Sequence, residues 1–269
     1  MATLTMMKLT GLGNDFLVCD ADHGSRSDWA VLARRVCDAQ TGPGADGLLV
    51  LGRLGDTRLT MHLYNADGST AEMSGNGIRC LAHAATLLAG HTGDVEYEVD
   101  TLAGTRRVQV TGAGAETIHA SVDMGEITPL EVPSNWAALQ CDPMRPVSHV
   151  SVGNPHSVVG VDDVSVVPLQ QLGELVPHVN LEIVEPGPEP DAITMRVHER
   201  GAGITAACGT GACASAWAAR SWGLVPGSAR SVTVHMDGGD VQVLLDQPAT
   251  GHVTLVGPSR YLLSTTVEA

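Results

Sequence analysis

Two stretches lying half a chain apart repeat each other. Residues 59–85 read LTMHLYNADGSTAEMSGNGIRCLAHAA, and residues 193–219 read ITMRVHERGAGITAACGTGACASAWAA. With Ser74 set on Cys208, an offset of 134 residues, Thr60 and Met61 fall on Thr194 and Met195. Gly75 then falls on Gly209, Gly77 on Gly211, and Ala84 and Ala85 on Ala218 and Ala219. Each copy predicts a short strand, a polar loop, a Gly-x-Gly turn and then a helix. The helical runs end alike, at Gly90 and Gly223, as expected of a glycine just past a helix C-terminus. Both runs are alanine-rich and apolar nearly all round, with His83 and Arg220 as the exceptions, and a helix with no polar face is usually enclosed.

The repeat continues past the helices. VEYEVDTLAGTRRVQV (95–110) and SVTVHMDGGDVQVLL (231–245) are period-2 runs broken at Gly104 and Gly239, so each predicts a hairpin. Asn14 in GLGNDF and Asn154 in VGNPHS give a looser echo at an offset of 140. The chain is expected to form two similar α/β halves, each wrapping strands around one central helix. The N-terminal stretch MATLTMMKLTGLGNDF reads as an edge strand running into a loop.

Of 269 residues, 43% are hydrophobic, enough for a proper core. The net charge of −15 argues against nucleic acid or an anionic membrane as a partner, because both require a basic face. No apolar stretch resembles a signal peptide or is long enough to span a bilayer, so a cytoplasmic protein is expected. Cys208, Cys213, Cys80 and His83 lack the Cys-x2-Cys spacing of a zinc site, and no metal is expected.

The two turns suggest their own chemistry. A helix N-terminus presents unpaired N–H groups and the positive end of the macrodipole, and glycines let a ligand approach that backbone. Such an end holds an anion, for instance a carboxylate. The same field is expected to lower the Cys208 thiol from about 8.5 toward neutrality, which makes a general base. With a second acid on the opposite face of one carbon, the pair could remove a proton from one side and return it to the other. That is racemisation or epimerisation with no cofactor, and no phosphate-binding loop or dinucleotide fingerprint is present. The plain alternative for Cys208 is a buried small hydrophobe. That reading suits Cys19, Cys37 and Cys141, which have no such turn after them, and Cys80 and Cys213, which fall inside the helices. His62, His83 and His198 are read as structural. An asparagine in a glycine-rich loop is often a turn residue, and His156 after Pro155 fits a capped loop as well as a site.

The segments KLTGLGNDF, GADGLL, NADGSTAEMSGNGIRC, GNPHS, HERGAGITAACGTGACA and the asparagine of PHVNLEI resemble, in order and over nearly the whole length, those of the diaminopimelate epimerase family. This is a cofactor-independent, two-thiol racemase group. The resemblance implies an α/β (α+β) fold of two pseudo-symmetric domains, each a strand barrel around a central helix. They are placed at residues 1–120 and 121–257, with a tail at about 258–269 returning to the first. It implies an isomerase that interconverts LL- and meso-2,6-diaminopimelate for lysine and cell-wall synthesis, as a homodimer. Position 74 and Cys208 would form the acid/base pair, with His156 and Glu199 tuning them. Gly75, Asn76, Gly209 and Thr210 would face the reacting α-carboxylate. Asn14, Asn65, Asn154, Asn180, Glu199 and Arg200 would bind substrate, largely at its distal centre.

Three positions depart from the family pattern. Gly47 stands where glutamine is frequent, Ile204 where glutamate is usual, and Ser74 where the family has cysteine. A hydroxyl is a far weaker acid than a thiol. Ser74 is compatible with an engineered Cys→Ser replacement, with a natural Ser/Cys epimerase, or with a one-base reaction such as β-elimination. A non-catalytic amino-acid-binding protein is the alternative from another class, and it would have no need of a thiol at position 208.

Overall fold

A computed structural model describes residues 3–21 and 28–268. The chain divides into two units, residues 1–122 with 257–269, and residues 123–256. The first contains β1 (Thr3–Gly11), β2 (Asn14–Asp20), α1 (Trp29–Cys37), β3 (Gly47–Arg53), β4 (Arg58–Asn65), β5 (Thr70–Ala71), α2 (Gly75–Ala89), β6 (Val95–Thr101) and β7 (Gly104–Thr111). It also holds most of β8 (Thr117–Glu126). The second contains β9 (Thr128–Pro129), β10 (Val147–Ser151), β11 (Pro155–Gly160), α3 (Leu169–Leu175), β12 (Asn180–Pro186), β13 (Ala192–Glu199), β14 (Gly203–Thr205), α4 (Gly209–Trp222), β15 (Ser231–Met236) and β16 (Gly239–Leu245). The last strand, β17 (His252–Glu268), starts in the second unit and ends in the first.

The two units share one plan. In the first, β2 pairs parallel with β3, β3 antiparallel with β4, β4 antiparallel with β5 and parallel with β6, and β6 and β7 form a hairpin. In the second, β11, β12, β13, β14, β15 and β16 take the same relations in the same order. Strands of both directions alternate buried and open residues where one face is solvated, as in β6 and β15. The predicted hairpins turn at Thr101–Gly104 and Met236–Gly239, with two residues between the paired ends.

Each unit encloses its central helix. α2 packs against β1, β2, β3, β4 and β7, and α4 against β10, β11, β12, β13, β15 and β16. All twelve residues Gly75–Thr86 are buried, which only small and apolar side chains permit around a whole circumference. Arg79 is the exception that sequence reading passed over, being fully buried inside α2. Its guanidinium donates to the carbonyls of Gly75 and Pro258 and to Asn76 Oδ1, at 3.0, 3.2 and 2.8 Å. His83, also fully buried, bonds Ser259 Oγ and the Ala115 carbonyl at 3.2 Å each. Both helices close alike: Gly90 and Gly223 adopt φ of 68° and 77°, and the next N–H reaches back to Thr86 and Ala219 carbonyls at 3.0 and 2.9 Å.

The N-terminal strand departs from expectation. β1 is not at an edge: it pairs with β17 on one side and β2 on the other. It joins β2 through a two-residue hairpin turn rather than a loop, with Leu12 at φ 55° and Gly13 at φ 81°. Positive φ at both central positions is the geometry that suits the twist of paired strands, and a leucine there hides the signal that Asn-Gly would give. Among the described residues, no helix is long and apolar enough to cross a membrane.

Candidate active site

The two Gly-x-Gly turns are built to one pattern. Ser74 is the N-cap of α2, at φ −138° and ψ 124°, and its Oγ accepts the Gly77 N–H at 3.0 Å. Cys208 is the N-cap of α4, at φ −131° and ψ 114°, and its Sγ accepts the Gly211 N–H at 3.4 Å. Serine is a preferred cap; cysteine is not, and its larger sulfur lengthens the bond. In both turns the cap carbonyl takes the fourth N–H, of Ile78 and Ala212, at 2.9 Å. The N–H groups of Gly75 and Asn76, and of Gly209 and Thr210, thus stand at the open positive ends of their helices.

The second glycine of each turn has a reason besides ligand approach. A Cβ on Gly77 would lie 3.1 Å from Ser74 Cβ and 3.4 Å from Leu49 Cδ2. A Cβ on Gly211 would lie 3.3 Å from Cys208 Sγ and only 2.8 Å from Glu182 Oε1. The missing side chain lets the cap and a neighbouring strand close on the helix.

Around Cys208 the predicted residues of the second unit assemble into one network. His156, at the start of β11, is fully buried; its Nδ1 meets Glu182 Oε1 at 2.6 Å and its Nε2 meets Asn154 Oδ1 at 2.9 Å. Asn154 Nδ2 donates to Thr210 Oγ1 at 3.3 Å, and that oxygen lies 3.4 Å from Cys208 Sγ. Glu199, at the end of β13, receives hydrogen bonds from Thr205 Oγ1 and from Cys208. Asn180 accepts the Arg200 N–H at 2.9 Å and donates to the Pro155 carbonyl at 3.1 Å, so it ties β12 to both flanking loops. Arg200 itself is exposed.

Electrostatics correct one expectation. Burial, then the charges of Glu199 and Glu182, push the Cys208 thiol well above its ordinary value, against the lowering pull of Thr210 and the Gly211 N–H. The helix end does lower the thiol, but desolvation and two carboxylates outweigh it. Burial likewise raises Glu199, opposed by its bonds from Thr205 and Cys208 and by His156, and reinforced by Glu182. The resting pair is therefore a neutral thiol donating to a carboxylate that is a better base than usual.

Fewer of the first unit's predicted residues come together. Asn76 Nδ2 donates to Asn14 Oδ1 at 2.5 Å, while Arg79 holds the other end of the same amide. Asn65, at the end of β4, donates to Ser69 Oγ at 3.0 Å, within its own loop. Gly47, opposite Asn65 in the β3–β4 ladder, meets the Tyr64 carbonyl at 3.0 Å from any added Cβ, which suits glycine there. Ile204 lies in β14 opposite His198, with its side chain exposed.

Sequence reasoning missed Glu182. Its signal is present: Asn180 and Glu182 share one face of a strand that begins Asn-Leu-Glu-Ile-Val, and both are buried. Among the described residues, no group of three or more His, Cys, Asp or Glu could hold a metal ion. A crevice of about 750 Å³ lies at the other end of α4, between Trp217, Arg220, Arg230 and Asp246. It shares no residue with the Cys208 network.

The chain resembles known proteins over its whole length. The family model described as diaminopimelate epimerase matches residues 6–129 and 148–262. A diaminopimelate epimerase of Thermosynechococcus vestitus is 39% identical, over 98% of this chain and 99% of its own. One of Moorella thermoacetica is 37% identical over 94% and 95%. Among solved structures, a predicted epimerase of Pseudomonas aeruginosa superposes with a TM-score of 0.76 at 16% identity, covering 99% of both chains. A hydroxyproline epimerase of Agrobacterium vitis gives 0.72 at 12%, over 99% of this chain and 91% of the other. A repeated strand–turn–helix unit, a helix-capping thiol and this full-length likeness lead to one conclusion: the chain belongs to the diaminopimelate epimerase family.

Proposed function

We propose that this protein is an isomerase that interconverts LL- and meso-2,6-diaminopimelate by two-base proton transfer at the α-carbon, with Cys208 on one face and Ser74 on the other. The observation that carries the reading is the matched pair of helix caps, each offering its one acidic side chain beside two open N–H groups. Glu199 takes the thiol proton and Cys208, as thiolate, removes the α-proton. The Ser74 hydroxyl returns a proton to the opposite face; solvent then reprotonates the alkoxide and takes the proton held by Glu199, which restores the resting state. The N–H groups of Gly75, Asn76, Gly209 and Thr210 hold the carboxylate as charge builds on it. Asn14, Asn65, Asn154, Asn180 and Arg200 receive the distal ammonium and carboxylate, for which amide oxygens and a guanidinium are suited. His156 keeps the Cys208 end aligned. The proton transfers call on no cofactor or metal. By family resemblance the proposal also covers a cytoplasmic homodimer, acting on an amino acid within lysine biosynthesis.

The test is incubation in D2O with each isomer, following α-deuterium and stereochemistry together. Exchange with inversion from both isomers is expected. Exchange from one isomer without inversion overturns the two-base reading in favour of one-base chemistry on Cys208. Binding without exchange leaves only an amino-acid-binding relative.

A further inference from the structure

Glu182 is buried beside the reactive turn, yet the proposed reaction gives it no task. Both it and His156 are fully buried, and Glu182 Oε1 lies 2.6 Å from His156 Nδ1. Its second oxygen, Oε2, is buried with no hydrogen-bond partner. From His156 the contacts run through Asn154 and Thr210 to Cys208 Sγ.

The first unit shows what this place holds when no acid is there. The parallel ladders pair Phe16 with Gly47 and His156 with Asn180. Two residues further along the second strand of each ladder stand Leu49 and Glu182. Both abut the second glycine of their turn: Leu49 Cδ2 at 3.4 Å and Glu182 Oε1 at 2.8 Å from the position of an added Cβ. The fold thus fills this place with an apolar side chain in one unit. Packing alone does not call for the acid in the other.

We propose that Glu182 is a positioning residue that keeps Cys208 protonated until substrate arrives, by fixing His156 and by placing a second negative charge behind Gly211. Three strands bring charged or titratable groups to this end of α4: Glu199 from β13 and Glu182 from β12 act on the sulfur, and His156 from β11 stands against Glu182. α4 itself adds the Thr210 hydroxyl and the Gly211 N–H. A thiolate at Cys208 would be repelled by both Glu199 and Glu182. Removing the Glu182 charge takes away one of these two repulsions. The catalytic benefit rests on the proposed reaction: a thiol that ionises only in company with substrate is shielded from stray electrophiles.

The test reads the thiol and not turnover. Wild type, Glu182→Gln and Glu182→Leu are alkylated with iodoacetamide over a range of pH, and the Cys208 peptide is quantified by mass spectrometry, apart from the other cysteines. The leucine variant copies the side chain at position 49. In both variants the midpoint for Cys208 alkylation should fall by about one pH unit or more, since a nearby like charge shifts a titration by that order. Cys208 should then react about tenfold faster near neutrality. An unchanged midpoint, or a rise, in a variant that retains its cooperative thermal transition overturns the proposal, as does failure of both variants to fold, which would make Glu182 a packing residue. A lowered midpoint in a protein that never exchanges the α-proton overturns the reaction and leaves this inference standing.

Discussion

The two helix ends share backbone geometry to within about ten degrees and differ in almost everything placed around it. At the α4 end the cap is a thiol, and a buried imidazole and two carboxylates stand near it. At the α2 end the cap is a hydroxyl, the matching strand positions are Phe16, Leu49 and Asn65, and a buried arginine sits in the first turns of the helix. Duplication preserved what the backbone requires, namely cap, glycine and helix stop, while the chemistry diverged. The pattern is physically coherent. A thiol can lend its proton to a neighbouring carboxylate. A hydroxyl gains more from the positive surroundings that Arg79 and the macrodipole supply to a developing oxyanion.

The largest test of this contrast removes it. Ser74→Cys gives the α2 end the same thiol cap that α4 carries. Turnover measured by coupled assay or proton exchange should rise by roughly 10²–10⁴, the usual worth of a general acid or base. No gain would mean that the two ends do not act on one proton path. A smaller effect separates the two glycines. Gly211→Ala meets Glu182 at 2.8 Å and should lower stability by about 1–3 kcal/mol, as overpacking does. Gly77→Ala meets only contacts of 3.1–3.4 Å, and the roughly 1 kcal/mol by which alanine favours a helix should offset most of the strain. Chemical denaturation of the two variants reads the difference; equal losses would mean that the acid beside α4 does not set the packing there. The smallest effect concerns pH. Because the folded state raises the Glu199 carboxyl, ionised Glu199 costs stability once pH exceeds its ordinary value of 4.5. Glu199→Gln should lose epimerase activity, yet its thermal midpoint relative to wild type should climb with pH above 4.5 and show no such gain below it. A gap independent of pH would place the cost in packing rather than charge.

Much of this is legible in the chain because it is local. The repeat, the caps at Ser74 and Cys208, the stops at Gly90 and Gly223 and the two hairpins each depend on a few neighbouring residues, whose backbone demands are visible in their types. The features that escape are long-range. Nothing beside Arg79 in the chain announces that its guanidinium is buried, because one of the carbonyls that receives it belongs to Pro258, 179 residues on. Glu182 meets His156 only because the parallel register sets His156 against Asn180, 24 residues on. The position of β1 between two strands depends on the last seventeen-residue strand of the chain. The direction of the Cys208 shift is hidden for the same reason: the helix end is written beside the cysteine, whereas the burial and both carboxylates come from elsewhere.

The capping bonds carry a mechanical implication. An N-cap side chain that bonds its own helix is anchored to the backbone, so neither Ser74 Oγ nor Cys208 Sγ can swing out in search of a ligand without unfastening the first turn. Precision at the reacting atom is then inherited from the rigidity of an enclosed helix, and the ligand has to be carried to a fixed point.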